Sequence, residues 1–296
     1  HLIAALVDGE DPGRRNAAVE ALVRIGRRMV EPLLAAVASP DADVRKQVVD
    51  ALAGIGSERA VPALVRLLGD SDPNVRGAAA DGLGAIGGGE ATRALIDTAL
   101  RAREETLVRF SALRALARLE VPLDAAVLKP ALAEPALRPV AFAVLGHGED
   151  PEAVDVLLAG LGAGSRAARE AAIEALLRMT SRPDASGSER LCARIRAAAL
   201  ESPATVSESI RRLGEAELGT RLLLVQFLGV VQAPESVVPL LLAARDEALA
   251  EVILATLAAF GEEGEAQIDR RWESLDVDAR AVACEGLGRT SGPRGS

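Results

Sequence analysis

Apolar and polar residues alternate along residues 40–70 with the period of an α-helix. Val44, Val48 and Leu52 recur four positions apart and form one apolar stripe, which predicts a first helix. A second stripe over 59–68 predicts another helix after a glycine-containing turn. Because neither helix buries its stripe alone, we expect helix pairs to stack on their neighbours.

The same arrangement occurs nine times along the chain. Each copy has an acidic or capping residue, then an arginine four positions later (alanine in one copy), then a leucine seven positions beyond. Successive second positions lie 29–33 residues apart, except Arg169 and Arg221, which are 52 apart. A period near thirty residues predicts stacked repeats. We place first helices near 12–25, 42–55, 73–86, 106–119, 135–145, 166–179, 218–231, 247–260 and 277–289, and second helices near 29–38, 59–68, 90–102, 123–133, 151–161, 235–244 and 263–274.

Three stretches of the third repeat have a recognisable sequence: Asp72-Pro73-Asn74-Val75-Arg76, Ala78–Gly87 and Ala94-Leu95. In these stretches the sequence resembles HEAT repeats, and most of all the short bacterial type found in phycobilin lyases. The resemblance implies an all-α, right-handed α–α superhelix, a solenoid of about nine helix pairs with one irregular insertion. It also implies that Asp and Arg of the first helices form a hydrogen-bonded ladder between repeats, and that second helices line the concave face.

The repeated arginines have two interpretations. They are a phosphate-binding stripe or, as we favour, a structural ladder. An acid four residues before an arginine lies one turn away on the same helical face, so it can pair within its repeat or with a neighbouring repeat. The predicted ladder comprises Asp11, Arg15, Asp41, Arg45, Asp72, Arg76, Glu105, Arg109, Glu134, Arg138, Arg169, Glu217, Arg221, Asp276 and Arg280.

The long interval between Arg169 and Arg221 marks an insertion. Residues 189–201 and 205–213 both have helical apolar spacing, so one of them replaces the ordinary second helix and the other is additional. The insertion belongs to the binding face or acts as a spacer. We predict a single solenoid over 1–296, with a possible division into regular repeats 1–180, the irregular insertion 181–219 and C-terminal repeats 220–296.

Composition narrows the possible functions. The chain is 49% hydrophobic but only 2% aromatic, so alanine and leucine must fill the core. Its net charge of −9 gives no general attraction for nucleic acid or an anionic membrane. No run of eighteen apolar residues occurs, so we expect no membrane span and predict a cytoplasmic location. The chain opens on His1 within an apolar segment, from which we expect a fragment or a processed protein.

The sequence contains no recognisable catalytic motif. The two histidines and two cysteines are neither paired nor spaced as metal ligands, and no nucleophile elbow or phosphate-binding loop occurs. We therefore expect no metal, no cofactor and no enzymatic activity.

The predicted function is a non-enzymatic scaffold or adaptor. Its concave face, made by the second helices, would bind a protein or peptide through charges that pass from basic to acidic along the chain. A bilin chromophore lyase or isomerase, and a nucleic-acid-binding HEAT-like protein, are the alternatives; the oligomeric state stays open. Trp272 is either a binding anchor or packed against a neighbouring helix. The candidate binding residues are Arg59, Arg66, Arg93, Asp97, Arg101, Lys129, Asp155, Arg270, Arg271 and Trp272.

Overall fold

The structure is a computed structural model that describes residues 12–182 and 185–290, together with Ile3 and Leu6. Within those residues it is helical and contains no strand, which confirms the predicted all-α fold of helix-pair repeats. The chain forms two compact units, His1–Ala153 and Val154–Ser296. The single solenoid over 1–296 and its division near 180 and 219 remain predictions.

In the first unit the helices alternate between longer first helices and second helices that are often shorter. Most of the predicted bounds agree with the observed ones to within two or three residues. Short 3-10 turns at Gly26–Met29 and Glu58–Ala60 lead into two of the second helices. The helices are α1 Pro12–Ile25, α2 Val30–Ala36, α3 Ala42–Ile55, α4 Val61–Leu67, α5 Pro73–Ile86, α6 Gly89–Leu100, α7 Thr106–Arg118, α8 Ala125–Ala133 and α9 Arg138–Leu145.

Capping residues explain where these helices begin and end. The Asp41 carboxylate accepts a hydrogen bond of 2.8 Å from the Asp43 N–H, and Asp72 does the same for Asn74 at 2.8 Å. At the other end of α3, Gly56 has φ +68° and closes the helix in the left-handed conformation. The loops between helices are therefore short and well defined.

The second unit begins within helix α10 and continues with eight further helices. The predicted bounds are again close to the observed ones. The helices are α10 Pro151–Gly160, α11 Arg166–Thr180, α12 Ala185–Glu201, α13 Pro203–Arg212, α14 Leu218–Val231, α15 Val237–Ala243, α16 Glu247–Ala258, α17 Gly261–Arg271 and α18 Val277–Thr290.

The structure shows which helix of the insertion is additional. Helix α12 packs on both α11 and α14, and its Arg194 forms an ion pair with Asp155 of the preceding second helix, α10. It therefore occupies the place of an ordinary second helix. Helix α13 is the additional one: its Thr205 hydroxyl donates a buried hydrogen bond of 2.6 Å to the carbonyl of Leu161, which anchors its first turn.

Candidate functional site

Arg45 shows how a first-helix arginine is used. Its Nε and Nη2 donate to the two oxygens of Asp70, both at 2.7 Å, and its Nη1 donates to the carbonyls of Ser39 and Pro40. The Arg45 side chain is 12% exposed and that of Asp70 is 7% exposed. This bidentate pair lies in the stack and links one repeat to the next.

Arg76 repeats the arrangement one repeat further along. Its guanidinium pairs with Glu104 at 2.9 Å and donates to the carbonyls of Asp70 and Ser71. Glu104 is 5% exposed; burial opposes its ionisation, but hydrogen bonds from the Glu105 N–H and from Arg76 outweigh this and lower its pKa. The same two elements, a loop carbonyl and a carboxylate of the next repeat, satisfy both arginines.

Arg109 is the most buried member, with 3% of its surface exposed. Its Nε donates to the carbonyl of Ala99 at 3.0 Å, and its Nη1 pairs with Glu134. Carbonyl contacts hold four of the remaining arginines: Arg138 to Leu132 O, Arg169 to Ala163 O, Arg221 to Leu213 O and Arg280 to Trp272 O. Arg221 also pairs with Asp246, whereas Arg15 has a longer and more exposed pair with Asp43 at 3.8 Å.

The carboxylates of this ladder are only partly those of the sequence pattern. Asp41 and Asp72 cap their helices, whereas Asp70 and Glu104, which the pattern did not single out, are the partners of Arg45 and Arg76. The spacing in the sequence offered a signal for these partners, because each carboxylate lies 25 or 28 residues beyond its arginine. Glu105 lies 3.6 Å from Arg76, and Glu217 is at the N-cap of α14; Asp11 lies outside the described residues.

Asp276 shows how the ladder continues past its missing arginine. Position 250 is alanine, and Asp276 pairs instead with Arg245, which lies in the turn after α15. The loop arginine therefore takes over the carboxylate that Ala250 leaves without a partner.

The Arg45–Asp70 pair predicts an acid-dependent loss of stability. Hydrogen bonds from Arg45 hold the pKa of Asp70 below its ordinary value, against the effect of burial. Because the pKa of Asp70 is lower in the folded state, its ionised carboxylate contributes its full stabilisation at pH values above the ordinary carboxyl pKa of about 3.9. This contribution is lost as the pH falls through the folded-state pKa. Asp70→Asn should therefore unfold more easily at neutral pH and lose less stability on acidification than the wild type.

Urea unfolding at a series of pH values from neutral to about 3 tests this expectation. Asp97→Asn, at an exposed position, is the matched control. Parallel pH profiles for the wild type and Asp70→Asn would contradict the assignment of Asp70 as the partner.

Helix α13 supplies the charges that replace the ladder at the insertion. Its Arg212 pairs with Glu170 of α11, and its Glu208 lies within reach of the Arg169 charge. Hydrogen bonds from Arg211, with smaller contributions from Arg169 and Arg166, lower the pKa of Glu208. These charges surround a cavity of about 10 Å³, room for about one water. We interpret this cluster of charges as the contacts that hold α13 against α11.

The candidate binding residues of the first unit lie on successive second helices that contact one another. Arg66, Arg93, Asp97 and Lys129 are exposed on α4, α6 and α8. Two others are partly engaged: Arg59 pairs with Glu31 at 2.5 Å, and Arg101 pairs with Glu104 at 3.1 Å. The structure thus brings the basic candidates of this unit onto one layer of helices.

The candidates of the second unit are more dispersed. Asp155 pairs with Arg194 of α12, and Arg270 lies 3.6 Å from Glu263 of its own helix, while Arg271 is exposed. Trp272 is half-buried at the end of α17, and the guanidinium carbon of Arg280 lies 5.5 Å from the centroid of its ring. The tryptophan therefore packs against an arginine of the next first helix.

The described residues contain neither a membrane-spanning helix nor a cluster of metal-ligating side chains. No helix among them is long and apolar enough to cross a lipid bilayer. In the same residues, no three His, Cys, Asp or Glu side chains come together as candidate ligands for a metal ion.

This fold of stacked helix pairs with an interrepeat arginine ladder defines an α-helical repeat protein. Residues 30–117 and 66–144 match the sequence model of HEAT repeats, all within the first unit. Residues 30–144 of the chain therefore consist of HEAT repeats. A search of curated proteins with this sequence found no match.

Solved structures with the same fold cover nearly the whole chain. The X-ray structure of YibA from Escherichia coli is 12% identical, covers 96% of this chain and 99% of its own, and has a TM-score of 0.56. An engineered protein is 19% identical, with coverages of 98% and 87% and a TM-score of 0.53. The CpcE–CpcF complex of phycocyanin lyase from a Nostoc species is 17% identical, with coverages of 97% and 92%, but its TM-score of 0.38 carries no argument. The first two similarities support the fold alone.

Proposed function

We propose that this protein is a non-enzymatic scaffold or adaptor that binds a partner protein through the second-helix layer of its first unit. The supporting observation is the contrast between two classes of arginine. The ladder arginines of the first helices are held by carbonyls and carboxylates of the stack, as Arg45, Arg76 and Arg109 illustrate. Second-helix cations such as Arg66 and Lys129 project into solvent and are available to a partner.

The charge of this layer favours a partner segment that carries carboxylates. On and directly beside α2, α4, α6 and α8, exposed cations outnumber exposed acids, although the chain as a whole is acidic. Charge complementarity of this kind steers encounter and selects partners more than it sets affinity. The cations are Arg27, Arg28, Arg59, Arg66, Arg93, Arg101 and Lys129, and the acids are Glu31, Glu58, Glu90, Asp97 and Asp124.

A triple charge reversal, Arg66→Glu/Arg93→Glu/Lys129→Glu, tests the proposal. Arg59 and Arg101 are left unchanged because their ion pairs, and the ladder residue Glu104, would be disturbed. The matched control reverses three exposed cations on first helices, Arg24→Glu/Lys46→Glu/Arg118→Glu. Both variants change the net charge equally. The control also breaks two exposed pairs within single helices, Lys46–Asp50 at 2.9 Å and Arg24–Glu20 at 4.0 Å, which contribute little to stability.

Affinity capture from a lysate of the source organism, with mass spectrometry, is the measurement. We expect the wild type and the control to retain a discrete protein that the triple reversal loses, while all three melt at similar temperatures. Retention of that protein by the triple reversal would rule out this layer as its binding surface. A bilin or a nucleic acid in place of a protein would favour one of the two alternative functions. The cytoplasmic location stays a prediction from the sequence.

A further inference from the structure

An apolar groove lies in the second unit where the additional helix α13 ends. Its walls are formed by Ile210 and Leu213 at the end of α13 and by Pro239, Leu242 and Ala243 of α15. It encloses about 590 Å³, within the range of sites that bind ligands. Leu242 is 43% exposed, although leucines of this stack are mostly buried.

The insertion builds this groove. Helix α13 replaces what is a short loop in the regular repeats, so its last turn stands beside the end of the next second helix. Gly214 follows that turn, and a Cβ placed on it would meet no atom within 4 Å. The groove depends on the additional helix α13, an insertion that occurs once in the predicted repeat pattern.

Charges around the groove specify the kind of segment it fits. The guanidinium of Arg221 pairs with Asp246 at 2.6 Å, and those of Arg245 and Arg211 also pair with carboxylates. The exposed carboxylates Glu217 and Glu247 flank the groove and form no ion pair among the described residues. With the cations neutralised, the uncompensated rim charge is negative.

Helix ends of both kinds meet at the groove. The C-terminal ends of α13 and α15 carry partial negative charge, and the first turns of α14 and α16, which begin after Glu217 and Asp246, carry partial positive charge. The preference for a cation therefore rests on the carboxylates of the rim. The apolar floor and the negative rim are therefore complementary to an apolar side chain that has basic neighbours.

We propose that this groove docks a short segment of a partner protein that inserts large apolar side chains and carries Lys or Arg on either side of them. The site lies in the other unit from the second-helix layer described above and has the opposite charge preference. It goes beyond the proposed function and does not depend on it.

Selection of random peptides of about twelve residues displayed on phage, against the intact chain, tests this proposal. Enriched peptides should combine Leu, Met or Phe with flanking Lys or Arg. In fluorescence anisotropy, Leu242→Asp should weaken their binding by about tenfold or more, as expected for loss of an apolar anchor. Leu200→Asp, at an exposed leucine outside the groove, is the matched control and should bind as the wild type does.

A second variant guards against a folding defect. Gly214→Leu adds a side chain in open space, so it should leave the melting temperature unchanged and still block the peptides. Failure to enrich any peptide, enrichment of acidic flanks, or equal binding to both groove variants and the wild type would overturn the proposal. So would a dimer of the wild type that Leu242→Asp dissociates in analytical ultracentrifugation, because a second copy would then be the occupant. The triple reversal in the first unit should leave these peptides bound, which separates this test from that of the proposed function.

Discussion

Replacing Arg109 by alanine should lower the free energy of unfolding by about 2–4 kcal/mol, as expected for a lost buried hydrogen bond and a cavity, since Glu134 is itself 38% exposed and its ion pair adds little. The arginine is 3% exposed and joins two repeats through the Ala99 carbonyl and the Glu134 carboxylate. Its loss leaves a buried carbonyl without its side-chain donor, a carboxylate without its cation, and a hole where the side chain was. Chemical denaturation followed by circular dichroism measures the change.

The control for this variant lies on the same helix. Arg118→Ala removes an exposed arginine from the end of α7 and should change stability by no more than about 0.5 kcal/mol. Similar small losses for Arg109→Ala and Arg118→Ala would show that the ladder contributes little to the stability of the stack.

Gly84→Ala and Gly77→Ala should have effects of opposite sign, although both glycines are buried in α5. A Cβ on Gly84 would lie 2.9 Å from the Cα of Ala115 in α7, so the two first helices would have to separate, at a cost of about 1–3 kcal/mol. A Cβ on Gly77 meets only the Ser111 hydroxyl at 3.7 Å. There the better helix propensity of alanine should raise stability by about 0.5–1 kcal/mol.

Thermal unfolding of the two variants beside the wild type distinguishes these effects. A higher melting temperature for Gly77→Ala and a lower one for Gly84→Ala is the expected order. Stabilisation by both substitutions would mean that α5 and α7 are free to move apart, and that the close approach at Gly84 is not needed for the stack.

The arginines fall into two classes, those of the ladder and those of the second-helix layer. The ladder arginines of the first helices satisfy loop carbonyls, and several of them also pair with a carboxylate of the following repeat, which fixes the stacking of one helix pair on the next. Those of the second helices stay exposed because that layer has no further layer packed outside it among the described residues of its unit. We expect substitutions in the first class to change stability and those in the second class to change binding.

The sequence by itself determined the helices, the repeat period and the class of fold. Val44, Val48 and Leu52 define an apolar stripe, and Asp72 with Pro73 defines a helix start, because such signals act through neighbours along the chain. The same local signals placed the break between Arg169 and Arg221. They also separated the first-helix arginines, which recur with the period, from those of the second helices.

Only the tertiary structure decided which carboxylates complete the ladder, which helix of the insertion is additional, and where the apolar groove lies. Asp70 pairs with Arg45, 25 residues away, through the stacking of whole repeats, and no local signal favours it over Asp72. Helices α12 and α13 have equally good helical spacing, and their roles differ only in the neighbours they contact. The groove joins residues of α13 and α15, so it exists only once a long-range packing has brought two helix ends together.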